Sequence, residues 1–311
     1  MLASCAPIAG LEEHLPYLGF PDSLSVPCSD GTMTVKCESV RDTAPQDGHF
    51  VTARPSYRIS GNEVIDSITG LVWYRLPGEP QSHELATKYC DVLPGDYRLP
   101  TRIELVSILD FRANSPIRID TDAFPDVQAS AYWTSTRYAT DPDRYWSVDF
   151  CVSCMSEYII RSDHTSTHVG ALCVKSDGES FKTGPFEIAG EEDRFVRDTR
   201  TGLMWMKKLL EPADSWRSAI DACRKAPDGA YGDFRLPNAK ELATIVDDER
   251  ADADAPAVHQ LFEIEYGRQI WSSTPTSIEG RFFELNATGG SLGHFPGSLG
   301  YIFPLCVRGP D

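Results

Sequence analysis

Arg98-Leu99-Pro100-Thr101-Arg102-Ile103-Glu104-Leu105 returns later in the chain as Arg235-Leu236-Pro237-Asn238-Ala239-Lys240-Glu241-Leu242. In each copy a Thr or Asn stands three residues before a Glu, at the head of an apolar run. That is the signature of a helix start capped by reciprocal side-chain and backbone hydrogen bonds. Both copies therefore open a helix.

The recurrence extends outward in order. Upstream, Asp66-Ser67-Ile68-Thr69-Gly70-Leu71-Val72-Trp73 matches Asp198-Thr199-Arg200-Thr201-Gly202-Leu203-Met204-Trp205. Downstream, Tyr132-Trp133-Thr134-Ser135-Thr136 matches Ile270-Trp271-Ser272-Ser273-Thr274, and Leu172-Cys173-Val174-Lys175 matches Leu305-Cys306-Val307-Arg308. Asp198 follows Asp66 by 132 residues, Arg235 follows Arg98 by 137, Trp271 follows Trp133 by 138 and Leu305 follows Leu172 by 133. A whole domain is duplicated. The period exceeds the roughly 20 to 50 residues of stacked solenoid repeats, so each unit is expected to close its own core. The division expected is an N-terminal tether at 1–56, a first domain at 57–177 and a second at 185–311.

The 311 residues suffice for two domains, and 41% hydrophobic with 24% charged residues fits a folded globular chain. A net charge of −17 repels phosphate backbones and anionic headgroups, which argues against nucleic acid as a partner. No apolar run approaches the roughly 20 residues that span a bilayer.

Nine cysteines follow the duplication. Cys223 follows Cys90 by 133 residues and Cys306 follows Cys173 by the same 133, which points to disulfides Cys90–Cys173 and Cys223–Cys306, one in each unit. Cys28 and Cys37 flank a turn-rich segment that would close as a stapled hairpin. Cys151 and Cys154 form a Cys-x-x-Cys without a counterpart in the second unit, leaving Cys5 alone. Such usage places the protein in an oxidising compartment. No second pair stands at zinc-ligand spacing, so no metal is expected. Leu2-Ala3-Ser4-Cys5 resembles a bacterial lipobox. It carries the expectation of lipidation at Cys5, the only membrane attachment foreseen, on an exported protein of the periplasm or cell surface, including an outer-membrane lipoprotein.

The landmarks together resemble the Lcl C-terminal domain family over roughly Tyr57 to Arg308. The resemblance implies an α+β fold: two tandem C-type lectin-like domains, related also to formylglycine-generating enzymes, each with two helices packed on a twisted antiparallel sheet. It further implies bacterial surface proteins, with the named member associated with adhesion and sulfated-glycan binding. The leading expectation is a non-enzymatic adhesion module that recognises a glycan or an envelope or surface protein through loops. The residues placed there are Tyr138, Asp141, Asp143, Arg144 and Tyr145 in the first unit, and Arg281, His294 and Phe295 in the second. Calcium would fit a lectin, but neither a Glu-Pro-Asn nor a Trp-Asn-Asp triplet is present in either unit, so no cofactor is expected. Two rival readings are a structural subunit of an envelope assembly or fibre, and a formylglycine-generating-enzyme-like or redox enzyme using Cys151 and Cys154. Against the enzyme, Asp149 and Glu157 flank that pair, where a reactive thiol needs positive neighbours.

Overall fold

The computed structural model describes residues 20–21, 23, 28–50, 53–112, 116–152, 156–176, 184–226, 233–250 and 252–309. The lipidation expected at Cys5 and the pairing expected of Cys154 lie outside these residues.

In the first unit, β1 (Tyr57–Ser60), β2 (Glu63–Asp66) and β3 (Val72–Tyr74) form an antiparallel meander and lead to β4 (Gly78–Gln81). Helices α1 (His83–Asp91) and α2 (Arg102–Ser107) follow. Strands β5 (Ala131–Arg137), β6 (Arg144–Asp149), β7 (Tyr158–His164), β8 (Val169–Ala171) and β9 (Val174–Lys175) complete the unit. The second unit repeats the plan with β10 (Phe186–Ala189), β11 (Phe195–Asp198), β12 (Met204–Met206), α3 (Trp216–Arg224) and α4 (Ala239–Thr244). It ends with β13 (Gln269–Pro275), β14 (Arg281–Asn286), β15 (Leu292–Pro296) and β16 (Val307–Arg308). Where the first unit has β4 and β8, the second has single bridges Ala213–Ile302 and Ile270–Phe303. The result is a mixed helix-and-sheet chain dominated by strands, in two tandem domains.

The repeated motifs are the fastenings of each unit. In Asp-x-x-Thr-Gly the Asp66 carboxylate accepts the Ile68 N–H at 2.9 Å and the Thr69 hydroxyl at 2.7 Å. Gly70 and its counterpart Gly202 sit at φ of +72° and +71°, where a side chain would be strained. In the central motif Glu104 accepts the Thr101 N–H at 2.8 Å and the Thr101 hydroxyl accepts the Glu104 N–H at 3.3 Å, closing the expected capping box. Arg98 then grips the same carboxylate with two nitrogens at 2.7 and 2.8 Å. Arg235 grips Glu241 in the same way at 2.8 and 2.7 Å. The Trp-containing strand joins here too: Ser135 N–H donates to Pro100 O at 2.7 Å and Arg102 N–H donates to the Thr136 hydroxyl at 2.8 Å. Ser273 and Thr274 repeat both bonds with Pro237 and Ala239, at 2.7 and 2.9 Å. Trp73, Trp133, Trp205 and Trp271 are fully buried. Disulfides tie α1 to the approach of β9 through Cys90–Cys173, and α3 to the approach of β16 through Cys223–Cys306.

One expectation is corrected: each unit keeps a cluster of its own around its disulfide, but the largest apolar cluster draws on both, so the cores are not separate. Strand β7 of the first pairs antiparallel with β15 of the second, so a single eight-stranded sheet runs β13-β14-β15-β7-β6-β5-β8-β4 through both. Helices α2 and α4 also pack together, and Ile103, Trp146 and Ile160 share one apolar cluster with Leu242, Val246 and Leu292. Fully buried Arg102 crosses the join to Asp248 at 2.6 Å and to the Ala243 carbonyl at 3.0 Å, while buried Lys240 returns to Ser107 O at 2.8 Å. A sheet edge and an apolar helix face left open by each unit are thereby closed by the other.

The N-terminal segment is likewise more than a tether. Cys28–Ser29 pairs with Thr34–Val35 and the Cys28–Cys37 disulfide closes the hairpin. The segment then lies as a strap on the second unit: Cys28, Val40 and Ala44 join the cluster of Trp216, Ile220 and Phe282. Arg217 donates to Asp30 O at 3.3 Å and Arg224 to Asp42 O at 2.8 Å. The buried Asp47 carboxylate accepts the hydroxyl of Thr274, and the Phe50 ring lies 5.0 Å from the Arg235 guanidinium.

Candidate ligand groove

His83 opens α1, directly after Ser82, and its ring stacks on Tyr145 of β6 at 3.7 Å between centroids. Its Nε2 lies 2.9 Å from the Thr134 carbonyl, which can only accept, so Nε2 carries the proton. Burial pulls the imidazole below the ordinary histidine range, so it is neutral at pH 7 and Nδ1 is an acceptor. Around this pair lies an open groove of about 870 Å³, bordered by Lys88 and Asp91 on α1, by Arg98 and Ser135, and by Pro142 and Ser166 on the loops. Its walls mix carboxylates, a lysine, hydroxyls and aromatic faces, groups that can hydrogen-bond or stack with a polar molecule.

The second unit builds the same place and fills it. Trp216 stands where His83 does, donates from Nε1 to Ser272 O at 2.8 Å, and stacks at 3.7 Å on Phe282, the counterpart of Tyr145. The strap then covers it. Ser135 is exposed, whereas its counterpart Ser273 is 1% exposed. The Arg98 side chain is 32% exposed, and that of Arg235 is 7%.

Of the candidate ligand-binding residues named from sequence, Tyr145 alone is a wall of this groove, together with Arg98, Leu99 and Ser135 of the repeated motifs. Tyr138, Asp141 and Asp143 lie on or beside the β5–β6 connection, with Tyr138 packed edge-on against Trp146 at 5.3 Å. Arg144, Tyr145, His294 and Phe295, expected on loops, lie on paired strands, and Arg281 opens the strand that also reads as one in the sequence. Arg144 Nε donates to the Ser162 hydroxyl at 3.0 Å. Arg281, His294 and Phe295 belong to the join between units. Arg281 donates to His294 Nδ1 at 3.0 Å and reaches Glu157 of the first unit at 3.5 Å, and Phe295 meets Tyr158 edge-on at 6.3 Å. His83 carries no motif of its own, and the signal for it is the contrast with Trp216 in an aligned position.

The Lcl C-terminal domain model matches residues 62–174 and, a second time, 194–308. The chain belongs to the Lcl C-terminal domain family. A search of curated proteins finds no match to it.

The Lcl C-terminal domain landmarks explain the fold more than the groove, because their Asp, Arg, Glu and Trp side chains are turned to turn locks, capping boxes and core. The first Lcl domain adds the open groove, and the second adds a docked strap. Cys28 and Cys37 lie close to His49 in a cluster of metal-ligand type. Their sulfurs are joined to each other, and a ring nitrogen of His49 meets Cys37 O at 2.8 Å, so the donor set does not suit a metal that needs thiolates. Cys151 is disulfide-bonded.

Proposed function

We propose that the protein is a non-enzymatic binding module of an exported bacterial protein, taking a glycan or protein ligand in the groove beside His83 and Tyr145. One observation carries this reading: of two aligned sites, one is filled by Trp216 and Phe282 and lidded by the strap, while the other keeps polar walls open to solvent. The finer fold reading is C-type lectin-like, supported by α1 and α2 set beside the sheet and by a disulfide from the first helix to the chain's end in each domain. Three disulfides between described residues support an oxidising location. The bonded state of Cys151 supports a staple over a reactive thiol.

The test is a screen of the full chain against glycan and peptide arrays beside a Ser135→Trp variant, which places a large ring in the groove from an exposed position. Ligand capture that falls by about tenfold or more in the variant, with an unchanged melting temperature and no effect of chelator, is expected. A ligand that binds both chains equally would overturn the groove as the site.

A further inference from the structure

The strap shows what the open groove is shaped to receive. It crosses α3 at Arg217 and Arg224, places Asp47 on the Thr274 hydroxyl, and lays Phe50 on the guanidinium of Arg235 three residues later. The first unit has the counterpart of each station: Glu84 for Arg217, Asp91 for Arg224, Thr136 for Thr274 and Arg98 for Arg235. Two stations are kept and two are reversed in charge; Glu84, Asp91 and Arg98 border the groove, and Thr136 lines the neighbouring cavity beside Thr101 and Ile103. Thr136 takes the Arg102 N–H as Thr274 takes that of Ala239, and among the described residues no acceptor meets its hydroxyl proton. Arg98 is held by Glu104 as Arg235 is by Glu241, with more of its side chain exposed. Glu84 and Asp91, by contrast, would repel the carbonyls that Arg217 and Arg224 attract. The reversal keeps this strap on the second unit, because specificity is built from repulsion as much as attraction.

Resting on the binding-module reading above, we propose that the first unit's groove receives a polypeptide segment of another protein. The segment carries Lys or Arg where it crosses α1 at Glu84 and Asp91, and an Asp three residues ahead of an aromatic where it meets Thr136 and Arg98. The segment is a basic counterpart of the strap. The chain's net charge of −17 favours such a cationic segment over an acidic one during approach.

The probe is a synthetic peptide of residues 28–50, closed through Cys28 and Cys37, in its own sequence and with Asp42→Lys. Binding to the full chain is read by calorimetry. The Asp42→Lys peptide is expected to bind more tightly than the unchanged one, and to lose about tenfold when Asp47→Asn or Phe50→Ala is added. The tethered strap, at high effective concentration, keeps the second unit closed to either peptide. A chain carrying Glu84→Arg and Asp91→Arg restores the second unit's arginines and is expected to reverse the preference, so that the unchanged peptide binds better. Ser135→Trp is expected to abolish both. If neither peptide binds either chain while another ligand class is lost on Ser135→Trp, the segment is overturned and the binding-module reading stands. If Ser135→Trp affects no ligand at all, both fall. Concentration-dependent self-association that Ser135→Trp removes would make a second copy the occupant and overturn the proposal.

Discussion

Ile160 pairs with Leu292 across the seam, and the two occupy the same position of the repeat, opposite Val148 in one unit and Leu285 in the other. A duplicated domain has thus met itself edge to edge, the arrangement of a two-fold dimer whose protomers are joined in one chain. Burying equivalent apolar residues against each other makes each half a condition for the other.

The whole chain is therefore expected to unfold in one calorimetric transition. Ile160→Ala should lower stability by about 2 to 5 kcal/mol, because Ile160 is fully buried and the space it leaves cannot be refilled by both units at once. Two separate transitions in the parent protein would refute the shared core.

Arg102 offers a sharper probe of the same join. Its guanidinium is buried between Asp248, the Ala243 carbonyl and the ring of Trp146, 5.6 Å away. Arg102→Ala strips partners from a charge and a carbonyl at once and is expected to cost about 3 to 5 kcal/mol. Adding Asp248→Asn to it should recover part of that loss in denaturant titrations. Additive losses would show that the pair does not interact.

Much of each unit was legible because its determinants are local. The Thr101 and Asn238 caps, the Asp66 turn and the disulfides lie within short motifs or constant offsets. The join was not legible, since Leu292-Gly293-His294-Phe295-Pro296 lacks β-branched residues and its strand is imposed by neighbours rather than by propensity. Nothing in the sequence marks the charged Arg102 and Lys240 for burial, and only the packing of α2 on α4 encloses them. His83 was illegible for another reason: its meaning lies in what replaces it in the second unit.

The long-range disulfides should matter more than the strap's. Cys223–Cys306 and Cys90–Cys173 each close a separation of 83 residues, against 9 for Cys28–Cys37. Paired Cys→Ser changes at either long bridge are expected to cost about 2 to 5 kcal/mol by freeing the unfolded chain. The change at Cys28 and Cys37 should instead loosen the strap, seen as faster amide exchange around Trp216 with little change in global melting.

Glu284 gives the chain a pH signature of its own. Its carboxyl is fully buried beside the cross-strand Trp271, with no hydrogen-bond partner on either oxygen among the described residues, and burial pushes it up to about 8 from 4.5. A folded state that holds this proton when the unfolded state has lost it becomes less stable as pH rises from about 4.5 to about 8, and the loss is complete above that. His294 works in the opposite sense. Burial and the neighbouring Arg281 and Arg118 pull it down to about 4, so stability is lost as pH falls from 6.5 towards 4. The two slopes oppose each other between about 4.5 and 6.5, and Glu284 alone acts above. Glu284→Gln should therefore match the parent near about pH 5 and exceed it by on the order of 3 kcal/mol at about pH 7, measured by urea unfolding at each pH. Parallel pH curves for the two proteins would mean that Glu284 is charged in the folded state and has found a partner.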